Sequence, residues 1–142
     1  MNIKAAFAIP FAKFIQKKVY KWAKNPIDTQ EKVFQNLISE AKHTAFGKDH
    51  NFENIKNYED FKYNVPIVDY EGLRSYVDRV VEGESDVLWK GKPLYFAKTS
   101  GTTSGAKYIP ISKESMPTHI KAARNALLHY IAEKNDASFV DG

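Results

Sequence analysis

Apolar residues recur along this chain at helical intervals, and the helical stretches are followed by two short extended runs. The first stretch, residues 1–24, opens on the apolar run Ala5-Ala6-Phe7-Ala8-Ile9-Pro10-Phe11-Ala12 and continues through Lys13, Lys17 and Lys18. It predicts a basic amphipathic helix that packs Phe7, Phe11, Phe14 and Ile15 on the body of the protein. A secretory leader is disfavoured, because lysines follow the apolar run at once and no small-x-small cleavage site precedes Tyr20 and Trp22. The run has fewer than half of the roughly 20 apolar residues that a membrane-spanning helix needs. The basic face offers an alternative contact, a membrane surface.

Residues 25–89 predict a helical segment. Asn25-Pro26 breaks the chain, and Asp28 with Glu31 reads as a capping box. Val33, Leu37, Ile38 and Ala41 then mark a helix to about His43, ended by Gly47 as a left-handed cap. Asn57 starts a short helix over 57–63, and Val65-Pro66-Ile67 is extended, since a residue before proline avoids the helical basin. Asp69 caps a clearer helix whose buried face is Leu73, Tyr76, Val77, Val80 and Val81, with Gly83 ending it. Residues 90–142 predict a strand, a loop, a strand and a helix. The strands are Leu94-Tyr95-Phe96-Ala97 and Tyr108-Ile109-Pro110-Ile111, and Ser112 caps a helix lined by Met116, Ile120, Ala123 and Leu127. The expected fold is α/β in a single unit, helices first and the beginning of a sheet after them.

Composition narrows the function classes. Of 142 residues, 43% are hydrophobic and 27% charged, so a folded core is expected and wholesale disorder is excluded. The 21 basic and 17 acidic residues leave a net charge of +4, too mild to argue for nucleic acid. There is no cysteine, which excludes disulfides, thiolate metal sites and thiol catalysis and suits a cytoplasmic protein. His43, His50, His119 and His129 form no close ligand pair, so no metal site is expected from them. Arg74 and Arg79 with Asp78 and Glu82 read as a solvated helix face.

The chemistry concentrates between the two strands. Thr99, Ser100, Gly101, Thr102, Thr103, Ser104, Gly105, Ala106 and Lys107 supply five hydroxyls, two glycines and a lysine. Such a run suits an anion: glycines let backbone amides turn inward, hydroxyls add donors and the lysine adds charge. Phosphate is the expected ligand. The spacing is not that of a Walker loop, because no Ser or Thr follows the lysine and the loop runs into an extended stretch. A surface hairpin rich in turn formers, needing no ligand, is the competing reading.

Ser100-Gly101-Thr102-Thr103 with Gly105 and Lys107 resembles the phosphate-binding motif of the adenylate-forming superfamily, departing from it at Ser104, Gly105 and Ala106. That departure resembles one branch, the auxin-responsive promoter family of acyl acid–amido synthetases, in a bacterial-type form. Three upstream blocks are similar to it as well: Thr44-Ala45-Phe46-Gly47-Lys48-Asp49-His50, then Val65-Pro66-Ile67-Val68-Asp69-Tyr70-Glu71, then Gly83-Glu84 with Asp86-Val87-Leu88-Trp89 and Gly91. The resemblance covers about residues 27–142.

The resemblance implies the N-terminal portion of a large adenylation domain, with the mobile C-terminal domain absent from this chain. It implies ATP and Mg²⁺, a carboxylic acid substrate and an amine acceptor such as an amino acid. Residues 99–105 and Lys107 would hold the departing pyrophosphate, with amides near Gly101 and Thr102 and hydroxyls of Ser100, Thr102 and Thr103 as donors; the Mg²⁺ ligand is not named by it. Asp49 and His50 fall in a block read as structural. The ribose- and adenine-binding motifs of the family are missing, so residues 139–142 read as a cut through a larger sheet, and the chain alone is expected not to complete adenylation. An acyl-CoA ligase, or a non-catalytic phosphate- or membrane-binding helical module, are the alternatives.

Overall fold

The computed structural model describes residues 3–101 and 105–138. Its elements run α1 (Ile3–Ala23), α2 (Pro26–Ala41), α3 (Ala45–Asp49), a 3₁₀ turn (Phe52–Asn54), α4 (Tyr58–Asn64), α5 (Tyr70–Val81), β1 (Tyr95–Lys98), β2 (Tyr108–Ile111) and α6 (Met116–Lys134). The order agrees with the expected helices followed by a hairpin, and the sheet among the described residues is the antiparallel pair β1–β2. The expectation of a single unit is corrected. The chain divides into two compact units, Met1–Thr29 with Met116–Gly142, and Gln30–Ser115.

In the first unit α1 and α6 run antiparallel. Lys13 Nζ donates to Asn135 Oδ1 at 2.7 Å, Tyr20 Oη donates to Glu133 Oε1 at 3.3 Å, and the Tyr20 ring meets His129 edge-on. Their shared core is Ala12, Ile15, Leu128, Ile131, Ala132 and Ala137, flanked by Ala8 and Ile9. The predicted faces are therefore largely wrong on both helices, Ile15 being buried and Met116 half-buried. Phe7, Phe11 and Phe14 are exposed on α1, and Ile120 and Leu127 are exposed on α6. The small residues explain the choice: Ala12 and Ala132 let the two helices come close, and close approach gains more dispersion contact than bulky rings at the seam. Pro10 lies inside α1 without ending it.

The second unit is built from short helices around Ile38, Ala41, Phe52 and Ile55, with Phe34, Phe46, Phe61, Val65 and Trp89 packed on them. Rings meet edge-on, Phe34 with Phe61 and Phe46 with Phe52, each at 5.8 Å. Several local signals hold here, although Val81, expected on the buried face of α5, is exposed. Asn57 and Asp60 form a reciprocal capping box at the start of α4, Asp69 accepts from the Gly72 amide at the start of α5, and Gly83 leaves the helix at φ +94°.

Two caps were misread. Helix α2 begins at Pro26, so Asp28 lies within its first turn, where a carboxylate favours the helix dipole instead of capping it. Gly47 is not a left-handed terminator. It is the third residue of α3, whose cap is Thr44: the Thr44 hydroxyl accepts from the Gly47 amide at 3.0 Å and donates to the Ala41 carbonyl at 2.7 Å. A Cβ at Gly47 would lie 2.2 Å from the Ala41 carbonyl oxygen, so close approach requires the glycine.

Candidate phosphate site: the 99–107 hairpin loop

The loop is the connection of a two-stranded hairpin whose register pairs Lys98 with Tyr108, Ala97 with Ile109, Phe96 with Pro110 and Tyr95 with Ile111. Thr99 closes it. Its amide donates to the Lys107 carbonyl at 3.0 Å, and its Oγ1 accepts from the Lys107 amide at 3.2 Å. Thr99, expected as a phosphate donor, thus uses its oxygen as an internal clasp and keeps only its hydroxyl hydrogen for another acceptor.

The two glycines serve different purposes. A Cβ at Gly101 would fall 1.7 Å from the Gly105 carbonyl oxygen, so the limbs of the loop approach too closely there for any other residue. At Gly105 the space is open, and the backbone, at φ +81°, sets the requirement. Ser100, Gly101 and Gly105 are exposed. Thr102, Thr103 and Ser104 lie outside the described residues, as do residues 139–142 with their expected sheet edge.

The base of the loop rests on α5. The Tyr108 amide donates to Tyr70 Oη at 2.9 Å, and the Lys107 ammonium lies 5.4 Å from the centre of the Tyr70 ring, with Arg74 at 5.9 Å. Arg74 also grips Glu71 with two hydrogen bonds of 2.7 and 2.8 Å, which holds the Glu71 carboxyl below its ordinary range, and the Lys107 charge acts in the same direction. Lys107 is therefore half-buried and already placed beside an aromatic ring, close enough to the loop to add charge there. Tyr70 was missed as a site residue. The available signal was a tyrosine directly after the cap Asp69, at a helical position that exposes an aromatic side chain to whatever follows.

Contacts join the upstream blocks to one another and to the loop. The 44–50 block meets the 83–91 block: amides of Ala45 and Phe46 donate to the carbonyls of Asp86 and Val87 at 2.8 and 3.0 Å. Asp86 sits at φ +58°, and its carboxylate accepts from the Gly91 amide at 2.8 Å. That amide, with the Ser85 hydroxyl, keeps Asp86 below the ordinary carboxylate range. The 65–71 block meets the loop through Tyr70. Asp49 accepts from Tyr76 Oη at 2.8 Å and His50 stacks on Phe46, so both are framework residues, as expected. On α5, the ion pairs are Arg74 with Glu71 and Arg79 with Glu84, exposed and worth little energetically.

A cleft of about 210 Å³ opens at the opposite end of the hairpin, lined by Val80, Trp89, Pro93, Pro110 and Ser112 among others. No described residue of the loop lines it.

Comparison with known proteins shows the family. The profile described as the GH3 family N-terminal domain matches residues 15–140. The indole-3-acetic acid-amido synthetase GH3.15 of Arabidopsis thaliana is 42% identical over 64 residues, 44% of this chain and 11% of the relative. The indole-3-acetic acid-amido synthetase GH3.6 of the same plant is 28% identical over 120 residues, 83% of this chain and 19% of the relative. The jasmonoyl–L-amino acid synthetase JAR4 of Nicotiana attenuata is 26% identical over 101 residues, 70% of this chain and 18% of the relative. The chain spans less than a fifth of the length of these curated relatives.

Proposed function

Because the chain belongs to the GH3 family, within its N-terminal domain, we propose that it supplies the phosphate-binding element of an ATP-dependent acid–amido synthetase of the adenylate-forming type. ATP is a substrate of that reaction. A carboxylate oxygen attacks the α-phosphorus, the bond to the β-phosphate breaks and pyrophosphate leaves; the amine nitrogen then attacks the acyl carbon, expels AMP and loses a proton to give the amide. A carboxylate is a poor electrophile, so activation must come first.

The observation that carries the reading is the loop's own shape. Gly101 lets the backbone limbs come together where a Cβ would intrude, Gly105 supplies the turn at positive φ, the Thr99 clasp fixes the ends, and Tyr70 stations the Lys107 ammonium at the base. Amides and hydroxyls held in place before the phosphate arrives favour the charge on the departing pyrophosphate without reorganisation. Relatives named as amido synthetases support an amine rather than a thiol acceptor. Mg²⁺ belongs to this reading as the companion of ATP, a cation held largely by substrate phosphates and one or two carboxylates; among the described residues no three His, Cys, Asp or Glu side chains gather to hold a metal ion, so no ligand is assigned to it and no step is routed through it.

Titration of the ¹⁵N-labelled chain with pyrophosphate tests the reading. Amide shifts are expected at residues 99–101 and 105–107, and Gly101→Val should abolish them while the amides of α1 and α6 stay unchanged. Shifts confined to other elements, or a Gly101→Val chain that responds like the wild type, would overturn it. The chain alone should give no ATP–pyrophosphate exchange above background, since it spans so small a share of its relatives.

A further inference from the structure

We propose that the exposed face of α1 docks on an anionic lipid surface. The burial of Ala8, Ile9, Ala12 and Ile15 against α6 leaves a second line along the same helix, Phe7, Phe11, Phe14, Lys18 and Lys21, at successive offsets of four and three residues. Phe7 is 71% exposed, Phe11 47% and Phe14 52%, and Trp22, one turn beyond Lys18, is 54% exposed. Aromatic rings thus occupy the first half of the line and ammonium groups the second.

Charge decides what fits this face. Helix α1 contains Lys4, Lys13, Lys17, Lys18 and Lys21 and no Asp or Glu. The Lys18 ammonium lies 4.4 Å from the centre of the Phe14 ring, so rings and cations form one surface. A partner must accept apolar rings and several positive charges within a few helical turns, and a headgroup layer of anionic lipid offers both: acyl boundary for the rings and phosphate or carboxylate for the lysines. A protein core would have to bury those charges.

The family match covers residues 15–140, so Phe7, Phe11 and Phe14 precede the matched segment, and Lys17, Lys18, Lys21 and Trp22 lie within it. No helix among the described residues is long and apolar enough to cross a membrane, which leaves α1 to lie along the surface.

Co-sedimentation of the 142-residue chain with phosphatidylcholine vesicles, pure or mixed with phosphatidylserine, tests this. Binding is expected to the mixed vesicles and to weaken with added salt. The variant Phe7→Ser/Phe11→Ser/Phe14→Ser should lose it, and Lys17→Gln/Lys18→Gln/Lys21→Gln should bind about a hundredfold more weakly. Because these side chains are exposed, both variants should unfold at the wild-type temperature, which separates lost docking from lost folding. Wild-type chain that stays in the supernatant, a triple Phe variant that binds normally, or lysine variants that bind equally well would each sink the proposal. So would vesicle-independent self-association that the Phe substitutions abolish, since the face would then be an interface between copies.

Discussion

The helix pair α1–α6 and the loop-bearing unit solve the same problem by opposite means. In the pair, residues more than a hundred positions apart choose each other, and the core consists of a few alanines, isoleucines and a leucine on two long helices. In the second unit nearly every element is short, and caps, turns and buried polar groups fix it locally, as at Thr44, Asn57, Asp69 and Asp86. One unit depends on a distant partner, the other on local punctuation, and substitutions should separate the two dependences.

The largest effect is expected from Ile131→Ala, which removes a nearly fully buried side chain from the helix pair and should cost about 3 kcal/mol. Hydrogen exchange should quicken along α1 and α6 while α4 and α5 keep their protection; equal quickening in both would show that the units are not separate. Gly47→Ala should do the converse, at about 2 kcal/mol, because the new Cβ meets the Ala41 carbonyl, a backbone atom with little freedom to yield. Its loss of protection should fall on α3 and residues 86–87, and a neutral result would mean that α3 can shift away.

A smaller change, Tyr70→Phe, keeps the ring beneath Lys107 and removes only the acceptor of the Tyr108 amide. It should cost about 1 kcal/mol, read most directly as faster exchange at Tyr108; an unchanged amide would place its partner elsewhere. The smallest effect is the acid response of Asp86. Its carboxyl is held below the unfolded value of 3.8, so the folded state is favoured above that pH and loses this contribution as pH falls through the lower folded value. Asp86→Asn, which tolerates the positive φ and keeps an acceptor, should flatten the acid limb of a stability profile, and an identical limb in both proteins would refute the assignment.

The same contrast accounts for what the sequence disclosed. Strand β2 and the starts of α4 and α5 were legible because a proline, an asparagine or an aspartate acts within four residues. The buried faces of α1 and α6 were not, because each face is chosen by a partner helix more than a hundred residues away. The loop was legible as a donor-rich connection between two strands, but its clasp was not: Thr99 looks like any other hydroxyl until Lys107 is placed opposite it. Tyr70 was hidden for the same reason, being 38 residues from the amide it receives.

The hairpin also dictates the direction in which a sheet could grow. Counting from the bonded pair Thr99 and Lys107, the alternation of antiparallel pairing turns the Tyr108 and Pro110 nitrogens away from β1, toward the free side of β2. Tyr70 has already taken the first, and proline has no hydrogen to offer at the second. On that border α5 has taken one donor and proline removes the next, so a strand arriving there would find carbonyl acceptors but no free amide from either residue, and β1 is the better side for widening the sheet.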